Sequence, residues 1–258
     1  MSRFSLEGKT AIITGGAGGL GRSMVEAYAD AGANVVIASR SRDKIEAEAA
    51  KINAKGQRAI AIAVDITDEE QVHAMVSETV ETFGALDIMV NNAGRWGRSH
   101  LAEETPLDEW RELVDQNLTG VFIPCMAAGK QMIKQGSGKI INVSSTAGTK
   151  GNPGMIHYSA AKAGVLSLTN NLAYMWAEHN ICVNAVVPGL VATPAMIAYG
   201  VTPPEIDGDG NPTPRLSRAP GPEDVAALCR YLASPAADMI TGEAIPVRAW
   251  NKIDRFWE

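Results

Sequence analysis

Along residues 10–187, six short apolar runs alternate with longer stretches of helical periodicity. The runs occupy residues 10–14, 34–39, 58–64, 86–90, 139–143 and 181–187, and a seventh is predicted at 243–247. They are nearly continuous in apolar residues, whereas a half-solvated strand alternates apolar with polar ones. Strands of that kind are buried on both faces, and helices crossing between parallel neighbours cover them. The alternation therefore implies an α/β fold with a parallel sheet covered on both faces, in a single domain, and the glycine turn after the first strand makes it a doubly wound sheet of Rossmann type. The predicted helices cover residues 23–31, ended by Gly32; 42–55; a third capped by Thr67 or Asp68 and running to Phe83; 107–135; 157–178; and 223–233. Pro124 predicts a kink inside the fourth of these. Residues 194–222, rich in Pro, Gly and Asp, are too long for an ordinary connection and are predicted to form a substrate-binding loop or lid.

The first strand runs into Thr14-Gly15-Gly16-Ala17-Gly18-Gly19-Leu20-Gly21, and a helix follows at once. Without side chains the backbone can meet a pyrophosphate, and the helix N-terminus adds partial positive charge. Gly15, Gly18, Gly19, Leu20 and Gly21 are therefore candidate dinucleotide contacts. The second strand ends at Ser39-Arg40, the position that faces the adenosine ribose in such folds. An acidic residue there would bind the free 2′-hydroxyl of NAD. A guanidinium instead suits a 2′-phosphate through charge-assisted bonds, so NADP(H) is expected over NAD(H). Asp65, with Ile66 after it, ends the third strand. It is placed either to accept from the adenine amino group or to cap the next helix.

Tyr158 and Lys162 lie four residues apart, on one face of a predicted helix. A phenol with a pKa of about 10 exchanges protons poorly at neutral pH, and a neighbouring ammonium would stabilise the phenolate. The pair suits a general acid for carbonyl reduction and a general base for alcohol oxidation. By itself the spacing is a weak signal. With the glycine turn, Asp65, Asn91-Asn92-Ala93-Gly94, Asn117, Asn142-Val143-Ser144-Ser145 and Pro188-Gly189 with Thr193, in that order, the chain resembles the short-chain dehydrogenase/reductase family in its single-domain branch. The resemblance implies that Ser145, more than Ser144, binds the substrate oxygen and that Tyr158 transfers the proton. It implies that Lys162 lowers the tyrosine pKa and holds the nicotinamide ribose, and that Asn117 holds a water leading to solvent. It further implies that residues 91–94 brace the sheet and touch the cofactor, and that Pro188, Gly189, Val191 and Thr193 position the nicotinamide. Relatives are dimers or tetramers built on the long helices, so a homodimer or homotetramer is expected. The chain departs from the family's usual last turn at Pro246-Val247-Arg248-Ala249-Trp250-Asn251, and Trp250, Phe256 and Trp257 form an apolar tail suited to packing on the chain's own core or, in preference, on a neighbouring subunit.

The substrate side is expected to be mostly apolar, lined by Trp96, Met155, Met196, Ile197 and Tyr199, with His100 and His157 as polar candidates. This suits a medium-sized apolar ketone or its alcohol. Arg95 and Arg98 would either meet an acidic substrate or belong to a solvated loop. A net charge of −6 disfavours nucleic acid and anionic membrane as partners. No run approaches the ~18 apolar residues of a membrane span. Residues 1–10 carry charges and no signal-peptide pattern, so a cytoplasmic protein is expected. Cys125, Cys182 and Cys229 are odd in number and widely spaced, and are expected as buried thiols, with no metal bound. Two other readings share this fold: a cofactor sensor without turnover, which would not need Tyr158 and Lys162, and an isomerase or eliminase, whose turnover would leave the cofactor unchanged.

Overall fold

In the computed structural model, which describes residues 2–200, 206 and 210–249, seven strands form one parallel sheet. They are β1 Thr10–Thr14, β2 Asn34–Ser39, β3 Ala59–Ala63, β4 Ile88–Asn91, β5 Gly138–Val143, β6 Ile181–Pro188 and β7 Ala244–Val247. Their spatial order is β3-β2-β1-β4-β5-β6-β7. The helices are α1 Gly19–Asp30, α2 Arg42–Ala54, α3 Glu69–Phe83, α4 Leu107–Val114, α5 Gly120–Gln135, α6 Ala147–Lys150, α7 Ile156–Trp176, α8 Pro194–Ala198 and α9 Pro222–Ala233.

The period of two along each strand divides the apolar residues between two layers. Ile13, Val35 and Ile37 join Met24, Tyr28, Ile45 and Val225 under α1, α2 and α9. Ile12, Val36 and Met89 join Met75, Val121, Met132, Val165 and Trp176 under α3, α5 and α7. Both faces are thus covered, as the unbroken apolar runs require. The chain direction across the sheet reverses between β1 and β4, and the crevice beyond the carboxyl ends of those strands is where such sheets bind ligands.

The structure differs from the predicted elements at instructive places. Helix α1 starts at Gly19, before the predicted residue 23, because the glycines enter the helix directly and no side chain caps it. Asp68, not Thr67, caps α3, accepting the Gln71 amide at 3.0 Å. The long helix expected over 107–135 is divided. Its irregularity is a π turn, Asp115–Thr119, a turn upstream of Pro124, which lies inside regular α5. Asn117 Nδ2 donates to Leu113 O at 3.0 Å, occupying the carbonyl that an α-helix would give to the Asn117 amide. Residues 194–222 begin with α8 and hold an Ile206–Pro212 bridge and a 3-10 turn, Arg215–Ser217. Residues 201–205 and 207–209 of that loop lie outside the described residues, as does the apolar tail with Trp250, Phe256 and Trp257. Cys125 and Cys229 are buried thiols, whereas Cys182 is only partly covered.

Candidate active site

A cavity of about 1220 Å³ opens at the carboxyl ends of the central strands, above the ~300–1,000 Å³ of common ligand sites. At one end lie Gly15, Gly18, Gly19 and Leu20, with Ser39, Arg40, Asp65 and Ile66 beside them. The amides at the start of α1 have no side-chain cap, and no acidic residue stands in its first turn. A Cβ on Gly18 or Gly19 would meet nothing within 4 Å. Open backbone amides at a helix N-terminus form a cradle that fits a pyrophosphate. Gly21 does not line the cavity. A Cβ there would collide with the Gly15 carbonyl, so this glycine lets α1 pack on the turn. Arg40 is exposed at the rim. One oxygen of Asp65 accepts from the Thr67 amide at 3.0 Å and the Thr67 hydroxyl at 2.7 Å. Those bonds, with a smaller contribution from Arg40, hold its carboxyl below the usual range.

At the other end β5 delivers Ser144 and Ser145, and α7 delivers Tyr158 and Lys162. The structure separates the two serines. Ser144 Oγ donates to Lys162 O at 2.8 Å and ties β5 to α7. Ser145 Oγ accepts the Ala147 amide at 3.2 Å, which leaves its proton to donate. Lys162 Nζ donates to Val143 O at 2.9 Å and lies 5.7 Å from the centre of the Tyr158 ring. Burial pushes its pKa down to about 8. Burial raises the Tyr158 phenol above its ordinary value, and the Ser145 hydroxyl opposes that rise. The expected lowering by Lys162 is thus not what the protein alone provides, because the ammonium is itself desolvated and turned towards Val143 O. Asn117 is fully buried in the π turn, with Nδ2 donating to Arg95 O at 2.8 Å and to Leu113 O. Its Oδ1 has no hydrogen-bond partner among the described residues and faces Gly94, next to Lys162 Nζ.

Asn92, Ala93 and Gly94 line the cavity, whereas Asn91 is buried behind it, donating to Asn142 Oδ1 at 2.9 Å. Pro188, Gly189, Val191 and Thr193 also line the cavity. Thr193 also caps α8, accepting the Met196 amide at 3.3 Å. Trp96, Met155, Met196 and Tyr199 line the remaining end, while Ile197, His100 and His157 do not.

A family model for short chain dehydrogenases matches residues 9–201. A 3-oxoacyl-[acyl-carrier-protein] reductase of Synechocystis is 38% identical over 250 residues, covering 94% of this chain and 96% of that one. The chain belongs to the short-chain dehydrogenase/reductase family. A Staphylococcus aureus 3-oxoacyl-[acyl-carrier-protein] reductase is 40% identical over 240 residues, covering 93% of this chain and 96% of its own. A solved structure from Beutenbergia cavernae, provisionally named an NAD(P)-dependent gluconate 5-dehydrogenase and holding NADP at low occupancy, has a TM-score of 0.84 and 34% identity, covering 96% of this chain and 98% of that one. The chain is therefore an oxidoreductase of a family that uses a nicotinamide cofactor on small molecules. Among the described residues no helix is long and apolar enough to cross a membrane.

Sequence reasoning missed Arg22, which lines the cavity, and the bracing role of Thr14 behind it. Arg22 lines it one residue beyond Gly21 and is paired with buried Glu48 at 2.6 Å. Its position in the first turn of α1 was the available signal. Thr14 was seen only as the start of the turn, yet its Oγ1 accepts the Asn92 and Ala93 amides at 3.0 Å each and donates to Val90 O. Arg95, read as substrate-facing or solvated, lines the cavity but is held by Glu112 at 2.5 Å and Gln116 at 2.7 Å.

Proposed function

We propose that this dehydrogenase reduces a medium-sized apolar ketone with NADPH, or oxidises the matching secondary alcohol, with Tyr158 as the proton carrier. The observation that carries this reading is convergence: Ser145, Tyr158, Lys162 and Asn117 border the same cavity as the glycine turn. A nicotinamide held in this cavity would supply or accept the hydride. Ser145 donates a hydrogen bond, keeping its proton, to the carbonyl oxygen, where negative charge develops during reduction. Tyr158 gives that oxygen its phenolic proton and takes it back in the reverse direction. Lys162, still largely protonated at neutral pH with a pKa of about 8, holds the nicotinamide ribose. Asn117 Oδ1 supplies an acceptor for a water that returns protons from solvent. The Asn92–Gly94 backbone and Pro188, Gly189, Val191 and Thr193 hold the nicotinamide end, Asp65 and Ile66 the adenine end, and Arg40 with Ser39 the 2′-phosphate.

The apolar side chains of Trp96, Met155, Met196 and Tyr199, with the loop over residues 194–222, border the ketone. The names of the Synechocystis and Staphylococcus relatives point to a 3-oxoacyl group as the first candidate. The reaction is assigned to the cytoplasm and to a homodimer or homotetramer. The test is NADPH absorbance across a panel of ketones and 3-oxoacyl thioesters. Tyr158→Phe should lower kcat by ~100-fold or more, and unchanged turnover would sink the assignment. Arg40→Ala should weaken NADP(H) by about tenfold or more and leave NAD(H) alone, since it removes only charged bonds to the 2′-phosphate. Better turnover with NAD(H), untouched by that substitution, would refute the cofactor choice.

A further inference from the structure

His100 and His157, expected at the pocket edge, belong to a separate cluster. His157 is 0% exposed and stands in the first turn of α7, directly before Tyr158. Its Nδ1 accepts the Tyr158 amide at 2.7 Å. Its Nε2 faces Glu109 Oε1 of α4 at 3.7 Å and has no hydrogen-bond partner among the described residues. Glu109 also bonds His100 Nε2 at 2.7 Å and accepts the Arg98 amide at 2.9 Å. Gly97 lets the loop approach this closely, since a Cβ there would lie 2.8 Å from both Glu109 Oε1 and the His157 ring. One carboxylate of α4 is thus bonded to the cavity-wall loop at 95–100 and faces the first turn of α7.

The ligand atoms of His100, Glu109 and His157 all lie within 4.8 Å of one another, the composition of a two-histidine, one-carboxylate metal site. The tautomer argues against that use. A neutral imidazole has one donor and one acceptor nitrogen. The Tyr158 amide occupies the Nδ1 lone pair, so the ring proton sits on Nε2, where a metal would need a lone pair. The 2.7 Å between His100 and Glu109 is a hydrogen-bond length, shorter than the ~3.4 Å between two ligands of a tetrahedral ion with bonds near 2.1 Å.

We propose that Glu109 and His157 are positioning residues for the proton carrier. The Glu109 carboxylate, 3.7 Å from Nε2, orients the His157 ring by its charge. His157 then holds the Tyr158 amide, which fixes the first turn of α7 and aims the phenol at Ser145 beside Lys162. The Arg98 amide and His100 keep the Glu109 carboxyl below the usual carboxylate range, so it remains an acceptor at neutral pH. This inference rests on Tyr158 being the proton carrier.

The experiment follows the tyrosinate absorbance of the NADP⁺ complex against pH, with Tyr158→Phe as the blank, in His157→Ala, Glu109→Gln and His157→Asn. The first two should ionise Tyr158 about one pH unit higher than wild type, with NADP⁺ affinity within about threefold. The double variant of those two should be no worse than the poorer single, because both act through one ring. His157→Asn, whose amide oxygen can accept the Tyr158 N–H, should restore the wild-type titration. A Tyr158 titration that is visible but unmoved in both single variants, whatever their melting temperatures, overturns the proposal. So does a His157→Asn variant as impaired as His157→Ala. Stoichiometric Zn²⁺ uptake by the wild type that His157→Asn abolishes also overturns it, by showing the Nε2 lone pair to be available. A wild type without any titration absent from Tyr158→Phe removes the proton-carrier reading itself.

Discussion

Lys162 shows how a buried charge costs stability. Its pKa is near 8 in the fold, against about 10.4 for a free lysine. Between those values the folded state loses its proton first. The unfolded state then binds more protons, so stability rises with pH across that window. Below pH 8 the full cost of the buried charge is present, on the order of 3 kcal/mol for a shift of this size. Lys162→Met is therefore expected to be more stable than wild type at pH 7, with the advantage vanishing as the pH approaches 10.5. Urea denaturation at several pH values measures it. Cys125 and Cys229, both pushed up to about 12 by burial, act in the opposite direction above pH 9 but cancel in the difference between the two proteins. A wild type that keeps a constant deficit across the window would refute the argument. The sequence named Tyr158 and Lys162 but could not supply this balance, because desolvation depends on what covers the ammonium.

At the scale of elements, the strands were legible because burial on both faces leaves unbroken apolar runs. The first two were read with their bounds, and the ends of the other five shifted by one or two residues, since hydrogen bonding and not hydropathy sets where a ladder stops. The long helix over 107–135 misled for a different reason. Proline marks an interruption, and here it lies within α5 while the helix widens a turn earlier. The cause is the Asn117 side chain bonding the Leu113 carbonyl, a competition no hydropathy period records. Asn117→Ala is expected to remove donors from Leu113 O and Arg95 O, lowering stability by about 1–3 kcal/mol and turnover with it. Thermal melting and steady-state kinetics together test this. Unchanged melting would mean that the π turn does not depend on that side chain. The short α6 and α8 could not be read either, since helices of four and five residues have too few turns to show a period.

For the whole molecule, the parallel sheet covered on both faces followed from the alternation of elements, whereas its strand order and the neighbours of each side chain came only with the structure. Two long helices, α5 and α7, leave Phe122, Tyr174 and Met175 exposed at 45%, 87% and 62%. Exposed large apolar side chains on these helices fit the expected dimer or tetramer built on them. The double substitution Tyr174→Glu with Met175→Glu should shift sedimentation towards the monomer, and an unchanged assembly would place the contact elsewhere. The sheet also carries a safeguard against assembling wrongly. Asn91 is paired across the ladder with Asn142, bonded to it at 2.9 Å, and Asn142 reaches Thr169 of α7 at 2.9 Å. Apolar strands of similar composition could pair in several registers at little difference in burial. A slip of one residue between β4 and β5 would turn these amides away from their partners inside a dry core, at a cost of ~1–3 kcal/mol for each polar group left unpaired. The same buried amides that hold α7 to the sheet thus select the one alignment in which the carboxyl ends of the strands meet, and errors in folding are penalised where the chemistry has least tolerance for them.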